Sequence, residues 1–245
     1  MTRTQIPPTH QIWQGDSIQL CERFNFVDCI ITDPPFGVDN QSNQAVTAHG
    51  KAHATKILND ETPEQAMQVF QDVMSVLLPK LRDDSDCYVF TSHQVIEEWL
   101  KMTREFMGDF GLQRKAILFW EKDGPGMGDL EVPWGMGMEF ILFFQKGRRA
   151  KSGTRRNSVI KIPQLRPSEL IHPHEKPPAL LKLLMRQSTL RGEFLVDPFG
   201  GSGSLVRAAK TIDRNAVCIE LDPARYAKSV EALETQSEGF GFETD

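Results

Sequence analysis

The strongest constraint on the fold lies between residues 194 and 220, where two short apolar runs flank a glycine-rich turn. The first run (FLVD, 194–197) enters the turn PFGGSG (198–203), residues 204–212 have helical spacing, and the second run (216–220) ends in an acid. Two parallel strands need a crossover connection, which is usually a helix. This segment therefore predicts a βαβ unit within an α/β fold.

The glycine-rich turn favours a nucleoside ligand. Gly200, Gly201 and Gly203 allow the backbone to approach a ligand where any Cβ would clash. Glu220 lies 17 residues beyond Gly203, where it can accept from both hydroxyls of a ribose. The third glycine of the dinucleotide pattern would fall at Val206, so a compact nucleoside is favoured over a pyrophosphate. The Gly-Lys-Ser/Thr signature of phosphate loops is absent, which argues against an ATPase.

A second strand-end motif lies near the amino end, where the apolar run 27–32 meets Asp33-Pro34-Pro35-Phe36. Each proline fixes its own φ and favours extended backbone in the residue before it, so a rigid, open corner is expected. The Asp33 carboxylate and the Pro34 carbonyl can accept from an exocyclic amine while Phe36 stacks on the base. From these residues alone, the alternative is a structural Pro-Pro turn in which Asp33 is a cap.

The rest of the chain alternates apolar runs with helical spacing, as in an α/β domain. Seven strands are expected, centred near residues 12, 30, 89, 118, 142, 195 and 218. Residues 38–59 are polar and lack periodicity, which predicts a mobile lid or a DNA-contacting loop. His49 and His53 lie in this loop without a third ligand nearby, so no metal site is expected.

The charge is unevenly distributed along the chain. The net charge is −5, yet eight basic residues lie between 146 and 166, and no acid lies between Glu139 and Glu169. The segment 146–166 shows neither helical nor strand periodicity. One cationic segment on an acidic chain predicts contact with a polyanion, and a solvated basic loop is the alternative.

Cysteine usage and hydropathy predict a cytoplasmic protein. No apolar run reaches the ~18 residues of a membrane span, so no membrane contact is expected. The first eight residues lack the apolar core of a signal peptide. The four cysteines are scattered without a Cys-x-x-Cys pair, as is typical of free thiols in a reducing compartment.

Three motifs together resemble those of amino-group DNA methyltransferases, which modify N6 of adenine or N4 of cytosine. The sequence DPPF (33–36) resembles the catalytic motif of that family, and DPFGGSG (197–203) resembles its S-adenosylmethionine loop. The sequence HPHEKP (172–177) is similar to the third hallmark, which helps to enclose the methionine end of the cofactor. The order of catalytic motif, recognition segment and cofactor motif is that of the permuted beta subgroup. The resemblance extends from about Gln14 to about Leu233.

The resemblance implies a Rossmann-like seven-stranded mixed sheet with helices on both faces and a circularly permuted motif order, with the first strand beside the last. It divides one domain into a catalytic part (1–145), a short basic target-recognition segment (146–170) and a cofactor-binding part (171–236), followed by a tail (237–245). It also implies S-adenosyl-L-methionine as cofactor and double-stranded DNA as partner, in a prokaryotic or phage-infected cell. A homodimer is compatible with the family, and the sequence does not define a restriction partner.

The same resemblance assigns the site residues. The catalytic residues it implies are Asp33, Pro34, Pro35 and Phe36. The cofactor-binding residues it implies are Asp16, Lys176, Asp197, Pro198, Phe199, Gly200, Gly201, Ser202, Gly203 and Glu220. Among these, Asp16 is expected near the adenine, Glu220 at the ribose, Asp197 at the methionine amine and Lys176 at its carboxylate. The residues expected to contact DNA are Arg148, Arg149, Lys151, Arg155, Arg156 and Lys161.

The implied reaction is a direct displacement that methylates adenine N6. In the family, serine is common in place of Asp33 when cytosine is the target, so Asp33 favours adenine. Cytosine N4 methylation and a catalytically idle DNA-binding relative are the alternatives. An RNA or small-molecule methyltransferase is disfavoured because the basic segment suits a duplex backbone. Methylation of cytosine carbon 5 is also disfavoured, since no cysteine here follows a proline.

Overall fold

A computed structural model of the chain describes residues 10–38, 58–124, 133–149, 154–171 and 175–235. Within these ranges the strands are β1 (His10–Gln14), β2 (Val27–Thr32), β3 (Leu81–Thr91), β4 (Leu112–Glu121), β5 (Met138–Lys146), β6 (Val159–Lys161), β7 (Phe194–Asp197) and β8 (Asn215–Glu220). The helices are α1 (Ser17–Cys21), α2 (Pro63–Leu77), α3 (Ile96–Asp109), α4 (Pro178–Ser188), α5 (Ser204–Lys210) and α6 (Pro223–Thr235).

The strands of the described residues form one eight-stranded mixed sheet in the order β1-β8-β7-β2-β3-β5-β4-β6. Strand β5 runs antiparallel to both of its neighbours, and the other pairs are parallel. The carboxyl ends of the parallel strands and the amino end of β5 therefore share one edge of the sheet. The first strand lies beside the last, as the permuted motif order predicts.

The expected count of seven strands is wrong by one in the part of the chain that the structure describes. All seven expected strands are present, and β6 adds an eighth inside the basic segment. A strand of three residues is too short to show alternation in the sequence. Pairing with β4 forms it instead, and the Trp120 indole N–H donates to the Ile162 carbonyl at 2.7 Å just beyond it.

Helices cover both faces of the sheet. Residues of α2 and α3, including Phe70 and Trp99, pack on one face, and residues of α4 and α5, including Leu184 and Leu205, pack on the other. Every residue of β2 is buried, as expected of a strand covered on both sides. Each large apolar side chain removed from water contributes about 1.5–3 kcal/mol, so this two-sided core fixes the sheet edge that follows β2.

Some predicted features fall on residues that the structure does not describe. These are residues 39–57 of the polar loop with both of its histidines, Lys151, residues 172–174 of the third hallmark, and residues 237–245. In the ranges that are described, none of the helices combines the length and apolar character needed to cross a membrane. Among the same residues, no three His, Cys, Asp or Glu side chains converge as a metal-binding group.

Candidate active site

One cavity of about 1180 Å³ opens at the carboxyl edge of the sheet. Both strand-end motifs line this cavity: residues 33–36 after β2 and residues 197–202 after β7. Asp16, Lys176 and Glu220 also line it. The proline corner and the glycine-rich turn therefore share one site, although at least 161 residues separate them in the chain.

Thr32 and Asp197 join the two motifs directly. Strands β2 and β7 are parallel neighbours, so their last residues lie side by side. The Thr32 hydroxyl donates to Asp197 Oδ1 at 2.9 Å, and the Phe199 N–H donates to the same oxygen at 3.0 Å. The Ser17 hydroxyl donates to the Pro198 carbonyl at 2.6 Å and ties the turn to α1. These bonds fix the distance between the two halves of the site.

Gly200 and Gly203 are required by packing rather than by ligand approach. A Cβ on Gly200 would lie 2.6 Å from the Cβ of Cys218 in β8, and one on Gly203 would lie 2.5 Å from Ile12 in β1. Gly203 is also absent from the described lining of the cavity, unlike the other predicted cofactor residues. Gly201 differs, because its φ is +51° and no atom lies within 3.8 Å of an added Cβ. Within the turn, the ligand-facing role therefore fits Gly201 best.

Asp60 holds the proline corner, and sequence reasoning missed this residue. Asp60 Oδ1 accepts from the Phe36 N–H at 2.8 Å and from the Gly37 N–H at 2.7 Å. The Trp99 indole N–H points to the Phe36 carbonyl at 3.4 Å, and the two rings meet edge-on. Asp60 ends a polar loop with no periodicity, so its partners 23 and 24 residues away could not be inferred from the sequence.

Four charged side chains form an alternating row beside the corner, which we name the charge chain: Lys122, Glu139, Lys176 and Asp33. The Lys122 ammonium donates to Glu139 Oε1 at 2.5 Å. The Lys176 ammonium lies 3.2 Å from Glu139 Oε2 and donates to Asp33 Oδ2 at 2.7 Å. The second carboxylate oxygen, Asp33 Oδ1, is buried and has no hydrogen-bond partner among the described residues. One acceptor of Asp33 is thus occupied and the other is available.

Lys176 lies against the catalytic motif in this structure, and the role at the methionine carboxylate that the resemblance implies stays a prediction. Its ammonium sits over the rings of Phe90 at 5.1 Å and Phe36 at 6.0 Å. Glu139, its second acidic partner, lies in the strand expected near residue 142 and is not among the predicted site residues. The signal that could have revealed it is an acid at the start of an otherwise apolar run, where burial requires a charged partner.

Burial and pairing perturb the charge chain in a consistent way. Burial raises the pKa of Asp33 above its usual value, and Lys176 opposes that rise. Burial acts to lower the pKa of Lys176, but Asp33 and Glu139 outweigh it and the pKa lies above the usual range. Burial acts to raise the pKa of Glu139, but Lys176 and Lys122 bring it below its usual value. Its two acidic partners therefore favour the charged form of Lys176.

Three acids mark the other end of the cavity. Burial raises the pKa of Asp197 to about 7, against the hydrogen bonds from the Phe199 N–H and Thr32. Burial also raises the pKa of Glu220, whose Oε1 accepts from the Asp222 N–H at 2.8 Å. The Asp16 carboxylate caps α1 by accepting from the Ile18 N–H at 2.9 Å. The residue before it, Gly15, donates its N–H to the Glu220 carbonyl at 3.0 Å. Asp16 and Glu220 are therefore neighbours.

The structure separates the described residues of the basic segment into two groups, and their contact with DNA stays a prediction. Because β5 is antiparallel, Arg148 and Arg149 lie beyond its carboxyl end, at the edge of the sheet opposite Asp33. The Arg149 guanidinium forms a hydrogen-bonded ion pair with the buried carboxylate of Glu193. Lys161 ends β6 at the cavity edge, and its side chain is 75 % exposed. Arg155 and Arg156 are exposed ahead of β6.

The cavity has an apolar rim, which sequence reasoning missed. Several large apolar side chains of the described residues are exposed, and five of them line this cavity: Ile18, Leu58, Trp134, Met138 and Leu221. Trp134 is the most exposed of them, at 82 %. Exposed apolar groups gathered at a cleft usually mark a ligand or partner site. No periodic pattern in the sequence predicts them, because they come from four separate segments.

Comparison with known proteins identifies the family of this chain. Residues 27–231 match a family model for N6/N4 methyltransferases, described as DNA methylase. The type II methyltransferase M2.MboI of Moraxella bovis is 24 % identical over 238 residues, covering 85 % of this chain and 82 % of the relative. The type II methyltransferase M.HpaI of Haemophilus parainfluenzae is 24 % identical over 241 residues, covering 88 % of this chain and 71 % of the relative.

Solved structures show the same fold. The complex of M1.HpyAVI with SAM aligns with a TM-score of 0.67 at 20 % identity, covering 91 % of this chain and 98 % of that one. The cytosine-N4-specific PvuII DNA methyltransferase aligns with a TM-score of 0.69 at 18 % identity, covering 93 % and 90 %. Since the family match spans most of the sequence, this chain belongs to the DNA methylase family of N6-adenine and N4-cytosine amino-methyltransferases.

Proposed function

We propose that this protein transfers a methyl group from S-adenosylmethionine to the N6 amine of an adenine in double-stranded DNA. The observation that carries the proposal is the shared cavity, which has an available carboxylate oxygen of Asp33 at one end and the glycine-rich turn at the other. The cavity is large enough for a nucleoside-sized cofactor together with one extruded base.

The residues at the turn fit the proposed cofactor. Gly201 leaves open space at a positive φ, and the two buried acids Asp197 and Glu220 have raised pKa values that a cation or hydroxyl donors would relieve. We assign the ribose to Glu220, the adenine to the region of Asp16, and the methionine amine to Asp197. The ammonium of Lys176 has three donors, and its hydrogen bond to Asp33 Oδ2 uses one of them, so a further donor can serve the methionine carboxylate.

When bound, the cofactor supplies an electrophilic methyl group on a sulfonium centre. The chain's own part is to prepare the amine, whose lone pair is delocalised into the base ring. Asp33 Oδ1 and the Pro34 carbonyl accept the two amine hydrogens, which holds the amine in place and favours localisation of its lone pair. The Asp33 carboxylate also stabilises the positive charge that develops on nitrogen.

The apolar rim suits the entry of an extruded base. A base must leave the duplex to reach Asp33, and apolar or aromatic contacts offset part of the unstacking cost. Leu58, Trp134 and Met138 lie on the rim, and Phe36 lines the cavity beside Asp33. We propose Arg155, Arg156 and Lys161 as the contacts to the DNA backbone, together with Lys151 outside the described residues. Arg148 and Arg149 lie at the opposite edge of the sheet, so we leave them out.

Cytosine N4 is the second candidate acceptor. The fold of the cytosine-N4-specific PvuII enzyme matches this chain as well as that of M1.HpyAVI does. Both bases present an exocyclic amine that two acceptors can hold, so the geometry at Asp33 serves either. Adenine is preferred because the family often has serine in place of Asp33 in cytosine enzymes.

Identification of the product nucleoside tests the proposal. The purified protein is incubated with S-adenosylmethionine and unmethylated duplex DNA, which is then digested and analysed by mass spectrometry. We expect N6-methyldeoxyadenosine. N4-methyldeoxycytidine would establish the second candidate instead. Bound cofactor without any methylated nucleoside, across a DNA library of all short sequences, would mean a catalytically idle relative.

A further inference from the structure

We infer that Glu139 is a positioning residue for the methyl-transfer step, acting through Lys176 to keep Asp33 a strong acceptor. The inference rests on the proposed function and adds a residue to it. Glu139 is the second residue of β5, the antiparallel strand, and so reaches the site from a part of the chain that contributes no recognised motif. It is the acid between the two lysines of the charge chain.

The geometry shows how Glu139 acts. The Lys176 ammonium is shared between Glu139 Oε2 at 3.2 Å and Asp33 Oδ2 at 2.7 Å. Lys122 holds the other oxygen of Glu139 at 2.5 Å, so the carboxylate of Glu139 is anchored on the far side. This arrangement keeps Lys176 on one oxygen of Asp33 and leaves Asp33 Oδ1 for the amine.

The electrostatic consequence follows from the alternation of charge. A lysine paired only with Asp33 would stabilise its carboxylate more strongly, and a more stabilised carboxylate is less basic and a weaker hydrogen-bond acceptor. Glu139 divides the positive charge of Lys176 between two acids and so preserves the basicity of Asp33. Among the described residues, the charged groups that act on Asp33 are Lys176, Glu139 and Lys122, together with Asp197 at the end of β7.

Two substitutions should move the titration of Asp33 in opposite directions. Glu139→Gln removes a negative neighbour, so the pKa of Asp33 should fall. Lys176→Met removes the positive neighbour, so the pKa of Asp33 should rise. In methyl-transfer assays under single turnover, the acid limb of the pH profile should shift the same way in each variant. The plateau rate should fall about tenfold in Glu139→Gln, although more Asp33 is ionised.

A spectroscopic measurement keeps this test separate from the proposed function. Side-chain carboxyl carbon NMR of the full chain, with Asp33→Asn to assign the signal, reports the pKa of Asp33 whether or not the protein methylates DNA. Lys176→Arg should leave the Asp33 pKa near its wild-type value, and Glu98→Gln on the exposed face of α3 should change neither the NMR titration nor the rate. Shifts of the same sign in Glu139→Gln and Lys176→Met, or an unchanged pKa in both, would overturn the inference. A protein without methylation but with opposite NMR shifts would retain the electrostatic arrangement and lose only the proposed function.

Discussion

At the scale of single residues, the site is a set of buried charges whose protonation is set by their neighbours. Asp33 and Asp197 follow adjacent strands, and both have raised pKa values because they are buried. Their partners differ: Asp33 has a lysine, while Asp197 has only neutral donors, the Thr32 hydroxyl and the Phe199 N–H, among its described contacts. The lysine favours the ionised form of Asp33, which can then accept hydrogen bonds. Asp197 has no such cation among its described contacts, so a cationic ligand would favour its ionised form.

Cofactor binding should therefore depend on pH through Asp197. Its pKa in the folded chain is raised from 3.8 to about 7, so most of it is protonated at pH 6. A cationic methionine amine favours the ionised form, so binding should release a proton and tighten as pH rises from 5 to 7, then level off. Calorimetry in two buffers with different ionisation enthalpies measures that proton. Asp197→Asn should bind more weakly and lose this pH dependence.

The raised pKa of Asp197 also determines how the stability of the cofactor-free protein changes with pH. Ionised Asp197 is disfavoured in the folded state relative to the unfolded chain. Its contribution to the free energy of unfolding should therefore fall as pH rises between about 4 and about 7, since the folded state binds the proton more tightly there.

Cofactor affinity that is flat from pH 5 to 8 in the wild type would show that Asp197 does not meet the amine.

Trp134 is the residue at the rim with the clearest expected effect. If it helps to hold an extruded base, Trp134→Ala should slow methylation of a matched duplex by about tenfold or more, because one aromatic stack is worth about 1–3 kcal/mol. A mismatched target base is already easier to unstack, so it should restore much of the rate. Trp134→Phe is the conservative control. An equal loss on matched and mismatched DNA would exclude a role in extrusion.

At the scale of elements, the glycine-rich turn separates packing from binding. Gly200 lies so close to β8 that any side chain at this position would displace the strand, whereas a side chain on Gly201 would meet no close neighbour. The turn therefore has two separate roles, packing at Gly200 and ligand contact at Gly201. Substitution of Gly200 should disrupt folding, and substitution of Gly201 should disrupt cofactor binding.

Gly201→Val should abolish cofactor binding while the chain remains folded. The added side chain would stand in the cavity, and the left-handed backbone at φ +51° adds strain of about 1–2 kcal/mol or more. Gly192→Val is a matched control, because Gly192 has φ +75° and open space but does not line the cavity. Both variants should lose stability to a similar extent in thermal melts, but only Gly201→Val should lose calorimetric binding. Normal binding by Gly201→Val would remove the cofactor from this turn.

The basic segment also has two roles, because Arg149 forms a structural ion pair whereas Arg155 and Arg156 are exposed. Arg149→Ala leaves the buried carboxylate of Glu193 without its guanidinium partner, which typically costs about 3–5 kcal/mol of stability. Arg155→Ala and Arg156→Ala should leave stability unchanged, weaken DNA binding and each reduce the slope of log affinity against log salt by about one. Fluorescence anisotropy over a salt series checks this. If Arg149→Ala reduced the slope as much as Arg155→Ala does, Arg149 would also have to contact DNA.

At the scale of the whole molecule, the sequence predicted what depends on local pattern. The apolar runs located the seven longer strands, and the motif order predicted that β1 lies beside β8. Sequence reasoning missed β6, Asp60 and Glu139, because each depends on partners that are distant in the chain. Strand β6 forms by pairing with β4, Asp60 accepts from two N–H groups of the proline corner, and Glu139 pairs with two lysines. Sequence reasoning grouped Arg149 with Lys161 because they are near in sequence, although the antiparallel turn of β5 sends them to different edges.

The fold gathers on one sheet edge every group that the proposed reaction needs. The parallel strands contribute Asp33 and Asp197 from neighbouring carboxyl ends, and β5 contributes Glu139 because it alone among the described strands runs the other way. The family membership is thus matched by a site whose parts come from both halves of the permuted sequence.

The most direct test is methyl transfer by Asp33→Ala, measured under single turnover with a tritiated cofactor and compared with cofactor binding by the same variant. Loss of a preorganised acceptor at the reacting amine typically lowers the rate by about 10²–10³. We predict at least that loss, with cofactor affinity within a fewfold of the wild type. Retained turnover in Asp33→Ala would contradict the account, since the amine would then be activated elsewhere in the cavity.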